Sequence, residues 1–470
     1  MIFLFLPAFA ADLDVYEGDD LTTLSSALQP GDEIRIHKGI YPLGSNGLNW
    51  SGVGTEAEPI VVRGVEDGVI LQQPEGWTMV TVEASTFLRI ERIGFQGGEG
   101  WEEGGYSGLR ILDSSDIVVK DCTFENIPGT AIALGNDNQR IRIEHNEFSS
   151  LHSSAISAGC GDASCWTQES IFVENLIHDL VTDYSDAIEL QPGGQNNEIR
   201  DNVIYGVTRR GIKVQSTLSG DPNIVEGNAI WNTGEIGMMV RGAAIIRNNV
   251  IFNTGSYGIA AESSDSSVLL SGVVISSNTI VGSTDRAIDL NHWFSSDGSF
   301  GEGLVLANNA ISNPLGYALR MRNGPTTDWP EGGPTLVGNV VTGLVEGIPS
   351  DLLTPGAGTW DFSDVEGWDF YPVPGSVLIN AGDAGSKAWV PETDFNGLPR
   401  EGDAPDAGAY EYFGEGNPGW ALQETFKVTT DKLPNSGEDV SSGCCKDKGS
   451  EEALLYLPLL ALGWRRRRHS

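Results

Sequence analysis

At 470 residues the chain is long enough for one large core with appendages. Its formal charge of −37 argues against a nucleic-acid partner, because phosphate contacts need clustered lysine and arginine. With 60 glycines and few long helical patterns, it reads as a turn-rich all-β protein. The acidic excess suits a soluble exported chain, and clustered carboxylates can hold Ca²⁺, although plain solvation accounts for most of them.

Residues 1–10, MIFLFLPAFA, have the apolar run and the Ala8-Phe9-Ala10 ending of a secretory signal, without its basic start. Residues 11–59 are expected to form an N-terminal cap and first strands. Leu21, Leu24 and Leu28 recur at helical spacing after acidic residues, which predicts a short capping helix over Asp19–Leu28. A cap is needed because the end of a stacked sheet exposes apolar surface and unpaired strand edges.

From Ile60 to Ile348 one template repeats. Asn146, Asn175, Asn202, Asn228, Asn249, Asn278, Asn309 and Asn339 each stand two residues before an apolar residue, from Phe148 and Ile177 to Val341. Cys122 with Phe124, and Ile93 with Phe95, fill the same slot in earlier copies. A spacing of about 21 to about 31 residues marks a solenoid, with stacked asparagine amides bonding between coils. The expected fold is all-β, a right-handed single-stranded parallel β-helix. Cys160 and Cys165 bracket a short loop and can form a local disulfide if the chain is exported.

In the third strand of each coil two outward rows follow from alternation. One reads Arg110, Ala133, Ser157, Glu189, Lys213, Met239, Ala260, Asp289, Arg320; the other Leu112, Gly135, Gly159, Gln191, Gln215, Arg241, Glu262, Asn291, Arg322. With coils about 4.8 Å apart, Glu189 and Lys213 become neighbours, and Arg241 lies one coil beyond and shifted along the strand. An ion pair between Glu189 and Lys213 is the simplest reading. Asp289, Asn291 and His292 form a second polar cluster, read first as a solvated face.

Residues 349–413 are read as a C-terminal cap, in which Asp394, Asn396 and Asp406 are turn residues or ligands of a structural Ca²⁺. Residues 414–443 are polar and read as a linker. Residues 444–470 carry Cys444-Cys445, an apolar run Ala453–Trp464 and Arg465–Arg468.

The opening Pro30-Gly31-Asp32 … Gly39-Ile40-Tyr41 … Pro59-Ile60-Val61-Val62-Arg63-Gly64 resembles the start of secreted β-helix polysaccharide lyases of the pectate lyase-like superfamily. The ending, with its Asp-Phe-Asn-Gly loop and DAGAYEY run, resembles the closing segment of bacterial surface β-helix proteins, where a final strand finishes the stack. The three-part tail resembles the MYXO-CTERM sorting signal, which implies export and display on the outer surface of a bacterial cell, held at the envelope by the tail. The lyase resemblance implies an acidic polysaccharide as partner and Ca²⁺-assisted β-elimination, or epimerisation, with Lys213 as base and Arg241 as charge stabiliser. Asp183, Asp186 and Glu189 are then the candidate Ca²⁺ ligands, and Arg210, Gln191, Gln215, Asp289, Asn291 and Arg320 the substrate contacts. The β-helix hydrolases of polygalacturonate need an Asp pair where this chain has Ser185-Asp186, and a His-Gly that does not occur in it. A non-catalytic glycan-binding or spacer protein is the competing expectation, because connections between coils are short. A monomer is expected.

Overall fold

Each coil contains up to three short strands, and each pairs in parallel with its counterpart in the next coil. The computed structural model describes residues 10–428 apart from 25–27, 45, 74–77, 98–105, 183–185, 217–219, 384, 386–388, 402–403 and 415. The first ladder is a 13-stranded sheet running from Asp12–Val15 to Thr335–Val337. The second begins at Gly39–Pro42 and the third at Leu48–Asn49. They merge in the long strand Ala310–Met321 to give one 23-stranded sheet. The parallel ladder therefore starts at Asp12, well before Ile60.

Alternation sets the core. In Ile60–Gly64 and Leu88–Glu91 every second residue is buried. Ile90, Val119, Ile143, Phe172, Ile199, Val225 and Ile246 stack in register up the first ladder and are fully enclosed. Phe95, Phe124 and Phe148 stack face to face inside the second, with centroids 4.6 and 5.0 Å apart.

The corner between these ladders holds the expected asparagine stack. From Asn175 through Asn339 each amide oxygen accepts from the backbone N–H and the Nδ2 of the asparagine one coil below, at 2.9–3.1 Å. Cys122 ends the run, its N–H donating to Asn146 Oδ1 at 2.9 Å. The preceding residue is left-handed, as at Asp121, His145, Asp201 and Asn248. A second polar stack, Ser85–Ser114–Asn138 and then Ser170–Asn197–Asn223, runs up another corner and escaped the sequence reading because serine and asparagine alternate in it.

The expected helix over Asp19–Leu28 is, in its described part, a single 3-10 turn, Leu21–Leu24. Asp20 Oδ1 accepts from both the N–H and the hydroxyl of Thr22, a local bond that competes with helix extension.

The C-terminal segment turns back along the outer face of the second ladder. The antiparallel pair Phe362–Asp364 and Asp369–Pro372 brings Trp368 and Phe370 onto Trp231 and Phe252. The Asp406–Tyr412 stretch forms bends rather than the expected closing strand. Asp394, Asn396 and Asp406 are buried, not solvated. Asp394 accepts from the N–H groups of Asn396, Leu398 and Glu411, and Asp406 from those of Asn380 and Tyr412. Backbone N–H groups thus donate to both oxygens of each of these carboxylates. The stretch after Gly414, read as a linker, is docked as far as Val428: Trp420 and Leu422 are buried, Phe426 stacks on His145 and Lys427 is enclosed. Trp420, Leu422, Phe426 and Val428 fall on alternate positions, an apolar stripe masked by the polar residues between them. Residues 1–9 and 429–470, which hold all but the last residue of the expected signal and the whole of the expected sorting tail, lie outside the described residues. Among the described residues no helix is long and apolar enough to cross a membrane.

Candidate functional site on the third ladder

The strands Ile156–Ala158, Asp186–Gly194, Arg210–Ser216, Met238–Val240, Tyr257–Ala261 and Arg286–Leu290 place the first outward row in register. Ser157 pairs with Glu189, Glu189 with Lys213, Lys213 with Met239, Met239 with Ala260, Ala260 with Asp289 and Asp289 with Arg320. Ile188, Leu190, Ile212 and Val214, the alternate residues, enter the core.

Lys213 Nζ donates to Glu189 Oε1, and each side chain is only 13% exposed. The pair is thus a tight bridge between adjacent coils. Arg241 stands one coil beyond and two residues along from Met239, and its Nη2 donates to Glu262 at 2.5 Å. Asp186 is buried with its carboxylate 3.4 Å from Arg210 Nη1 and 4.0 Å from Arg209. Burial pushes its carboxyl above the usual range, with Arg210 opposing. Asp183 lies outside the described residues. The described members of the proposed Ca²⁺ set, Asp186 and Glu189, are each held by a cation of the protein. Among the described residues no three metal-ligating side chains converge.

Gln191 and Gln215 are half-buried and sit where the pairing of their strands shifts register, between Leu190 and Gly194. Gly159, beside the Cys160–Cys165 disulfide, has φ +97°, and a Cβ there would lie 3.1 Å from Gln191 Cβ. Farther along, Arg320 grips Asp289 through Nε and Nη2 at 2.6 and 2.9 Å, and Asn291 Nδ2 donates to the same carboxylate at 2.8 Å. Asp289 is 1% exposed, so this cluster is an organised network rather than a solvated face.

Two features were not read from the sequence. Met239, Ile236 and Ala260, with Tyr257 against them, make a small apolar floor between the Lys213 and Asp289 groups. Arg286 lies over the rings of Tyr257 and Tyr317, at 5.0 and 5.9 Å from their centroids. Tyr257, Arg286 and Tyr317 share one ladder position, so the repeat itself contained the signal.

Among solved structures, pectate lyase Pel9A is similar over 85% of this chain and 96% of its own, at 14% identity and a TM-score of 0.46. An alginate lyase from Paenibacillus sp. str. FPU-7 is similar over 56% of this chain and 93% of its own, at 12% identity and a TM-score of 0.47. The Azotobacter vinelandii mannuronan C-5 epimerase AlgE4 A-module matches over 68% and 88%, at 13% identity and a TM-score of 0.40. No curated protein sequence matches the chain. Residues 130–311 match the family model described as a right handed beta helix region, the architecture that the coordinates show for these coils.

Proposed function

We propose that the third ladder binds an acidic polysaccharide. The observation that carries this reading is the succession of pairs Glu189–Lys213, Arg241–Glu262 and Asp289–Arg320 along the two neighbouring outward rows of this ladder. A linear polymer with a repeated carboxylate meets a repeated set of cations, spaced by coils about 4.8 Å apart. Every one of these cations is already neutralised by a carboxylate of the protein. A uronate binds by exchange, for instance taking the place of Glu262 on the Arg241 guanidinium. Such binding is salt-sensitive, and it works against the overall acidic charge of the chain.

Turnover is the second reading, favoured by the closeness of Lys213 and Arg241. β-Elimination and epimerisation both begin by removing the proton next to a uronate carboxylate, and an arginine there stabilises the charge that develops. Lys213 Nζ is engaged as a hydrogen-bond donor to Glu189. It acts as a base only after substrate has parted the two. We assign no step to Ca²⁺. Export and surface display, as a monomer, complete the proposal; the disulfide suits an oxidising compartment.

The test is affinity electrophoresis and calorimetry against pectate, alginate and glycosaminoglycans, with absorbance of unsaturated uronides followed with Ca²⁺ or with chelator. Binding to a polyuronate that weakens in Lys213→Ala and Arg241→Ala is the expected result. Retention of neither polymer nor product across the panel overturns the proposal. Absorbance that vanishes in Lys213→Ala establishes the second reading.

A further inference from the structure

The geometry points to a separate anion-binding subsite in the cleft between the loops 263–270 and 292–300, which takes a carboxylate or sulfate ester of a bound sugar chain through Arg322 and His292. This inference rests on the third ladder being the polysaccharide face, and it names where the chain extends. The cleft has a volume of about 300 Å³ and is walled by Val268, Leu269 and Phe294, with His292, Arg322 and Asn323 at its polar side.

Arg322 is the reason for assigning an anion. In its outward row Arg241, Glu262, Asn291 and Arg322 follow one another in successive coils, as the backbone bonds of Glu262 to Val240, Asn291 to Ala261 and Arg322 to Leu290 show. Arg241 is engaged with Glu262, and Asn291 with Asp289. Arg322 is exposed, and among the described residues no carboxylate lies within ion-pair distance of it. Lys213, Arg210, Arg286 and Arg320 on the same ladder are paired, whereas exposed Arg110, at the head of the first outward row, has like Arg322 no ion pair among the described residues. Of these two, Arg322 is the one at the side of this cleft.

His292 supplies the second donor. Its Nδ1 accepts the Ser263 N–H at 3.2 Å, so the neutral ring carries its proton on Nε2. The nearby Asp265 carboxylate is held within its own loop, where Oδ1 accepts from the N–H and hydroxyl of Ser267, at 2.8 and 2.7 Å. The walls suit the apolar face of a pyranose ring. Phe294 is fixed from behind by Phe300 and Trp329, with ring centroids 5.7 and 5.5 Å away. An apolar wall with a few convergent polar groups is the usual composition of a ligand cleft.

Arg322 stands three coils from Arg241, a separation of about 14 Å at about 4.8 Å per coil. Only an oligosaccharide reaches both. Calorimetry should therefore use a disaccharide and a hexasaccharide of galacturonate, the same pair from alginate, and heparin fragments of equal length to separate carboxylate from sulfate ester. In Arg322→Gln, affinity for the hexasaccharide of the bound series is expected to fall about tenfold, the effect of losing one charged hydrogen bond, with disaccharide affinity at Lys213 unchanged. Arg322 is exposed, so its thermal midpoint should match wild type. Equal hexasaccharide affinity in wild type and Arg322→Gln overturns the subsite and leaves the proposed function standing. Failure of wild type to bind any fragment removes the function reading itself, and the subsite with it.

Discussion

Truncating Asn249 to alanine tests the physical basis of the stack. The residue is fully buried, and its amide makes five contacts. Oδ1 accepts from Asn228 N–H at 3.0 Å and from Asn228 Nδ2 at 2.9 Å. Nδ2 donates to Val225 O, Arg247 O and Asn278 Oδ1, each at 2.9 Å. Alanine leaves the Asn228 N–H without this acceptor, at about 2 kcal/mol, and takes a donor from two carbonyls, at about 1 kcal/mol each. Asn228 Nδ2 keeps Ile199 O and Glu226 O, and Asn278 Oδ1 keeps the Asn249 N–H, so neither adds a full penalty. The sum is about 4 kcal/mol, before any cavity term. Urea unfolding of Asn249→Ala should show a loss of this order, with exposed Ser296→Ala near wild type. Hydrogen exchange should rise first in Asn223–Glu226 and Ala244–Arg247, the strands leading into this corner. A loss below about 1 kcal/mol would mean that water or backbone rearrangement replaces the amide, and the stack would then be a marker of the fold rather than a support for it.

Lys427 anchors the C-terminal strap: its ammonium lies 2.8 Å from Asp201, 2.7 Å from Gly227 O and 3.7 Å from the Phe395 ring centroid. Lys427→Met should expose residues 417–428 to limited proteolysis while the solenoid stays intact; unchanged cleavage refutes the anchor. Glu147, and then Asp179, raise the His178 imidazolium above the ordinary histidine value against its partial burial. Its stabilising contribution is full below the unfolded histidine pKa and is lost as pH rises through the raised one, so wild-type stability should decline across that window and His178→Ala should flatten the decline. Reducing Cys160–Cys165, whose closed loop is short, should cost at most about 2 kcal/mol; a scanning calorimeter with and without reductant reads the difference, and global unfolding on reduction would contradict it.

The coil repeat was legible because from Asn146 to Asn339 a buried asparagine recurs at the same corner, two residues before an apolar one, while Cys122 takes the slot at the end of the run. The outward rows followed from alternation alone, and Glu189, Lys213, Asp289 and Arg320 fall in the expected order along the ridge. The docking of Trp420, Leu422 and Phe426 was not legible, because the apolar cluster they join includes Leu176, Val203, Trp231 and Phe252, which come from separate coils. Gly227 shows the same limit. Its φ is +69°, and a Cβ there would lie 2.6 Å from Asp201 Oδ1 and 3.2 Å from Lys427 Nζ, a constraint set by a residue two hundred positions away.

Periodicity is a local property that the chain carries in its own order, so the sequence by itself determined the β-helix, its asparagine corner and the identity of the residues along each ridge. Charge pairing is not local. Whether Lys213 is an available base or the partner of Glu189, whether Asp394 and Asp406 hold a metal or backbone N–H groups, and whether Arg322 has a counter-ion depend on ångström distances between coils and loops. Those distances are fixed only once the coils stack and the C-terminal segment docks on them, and that packing decided which polar groups are satisfied within the protein and which remain for a ligand.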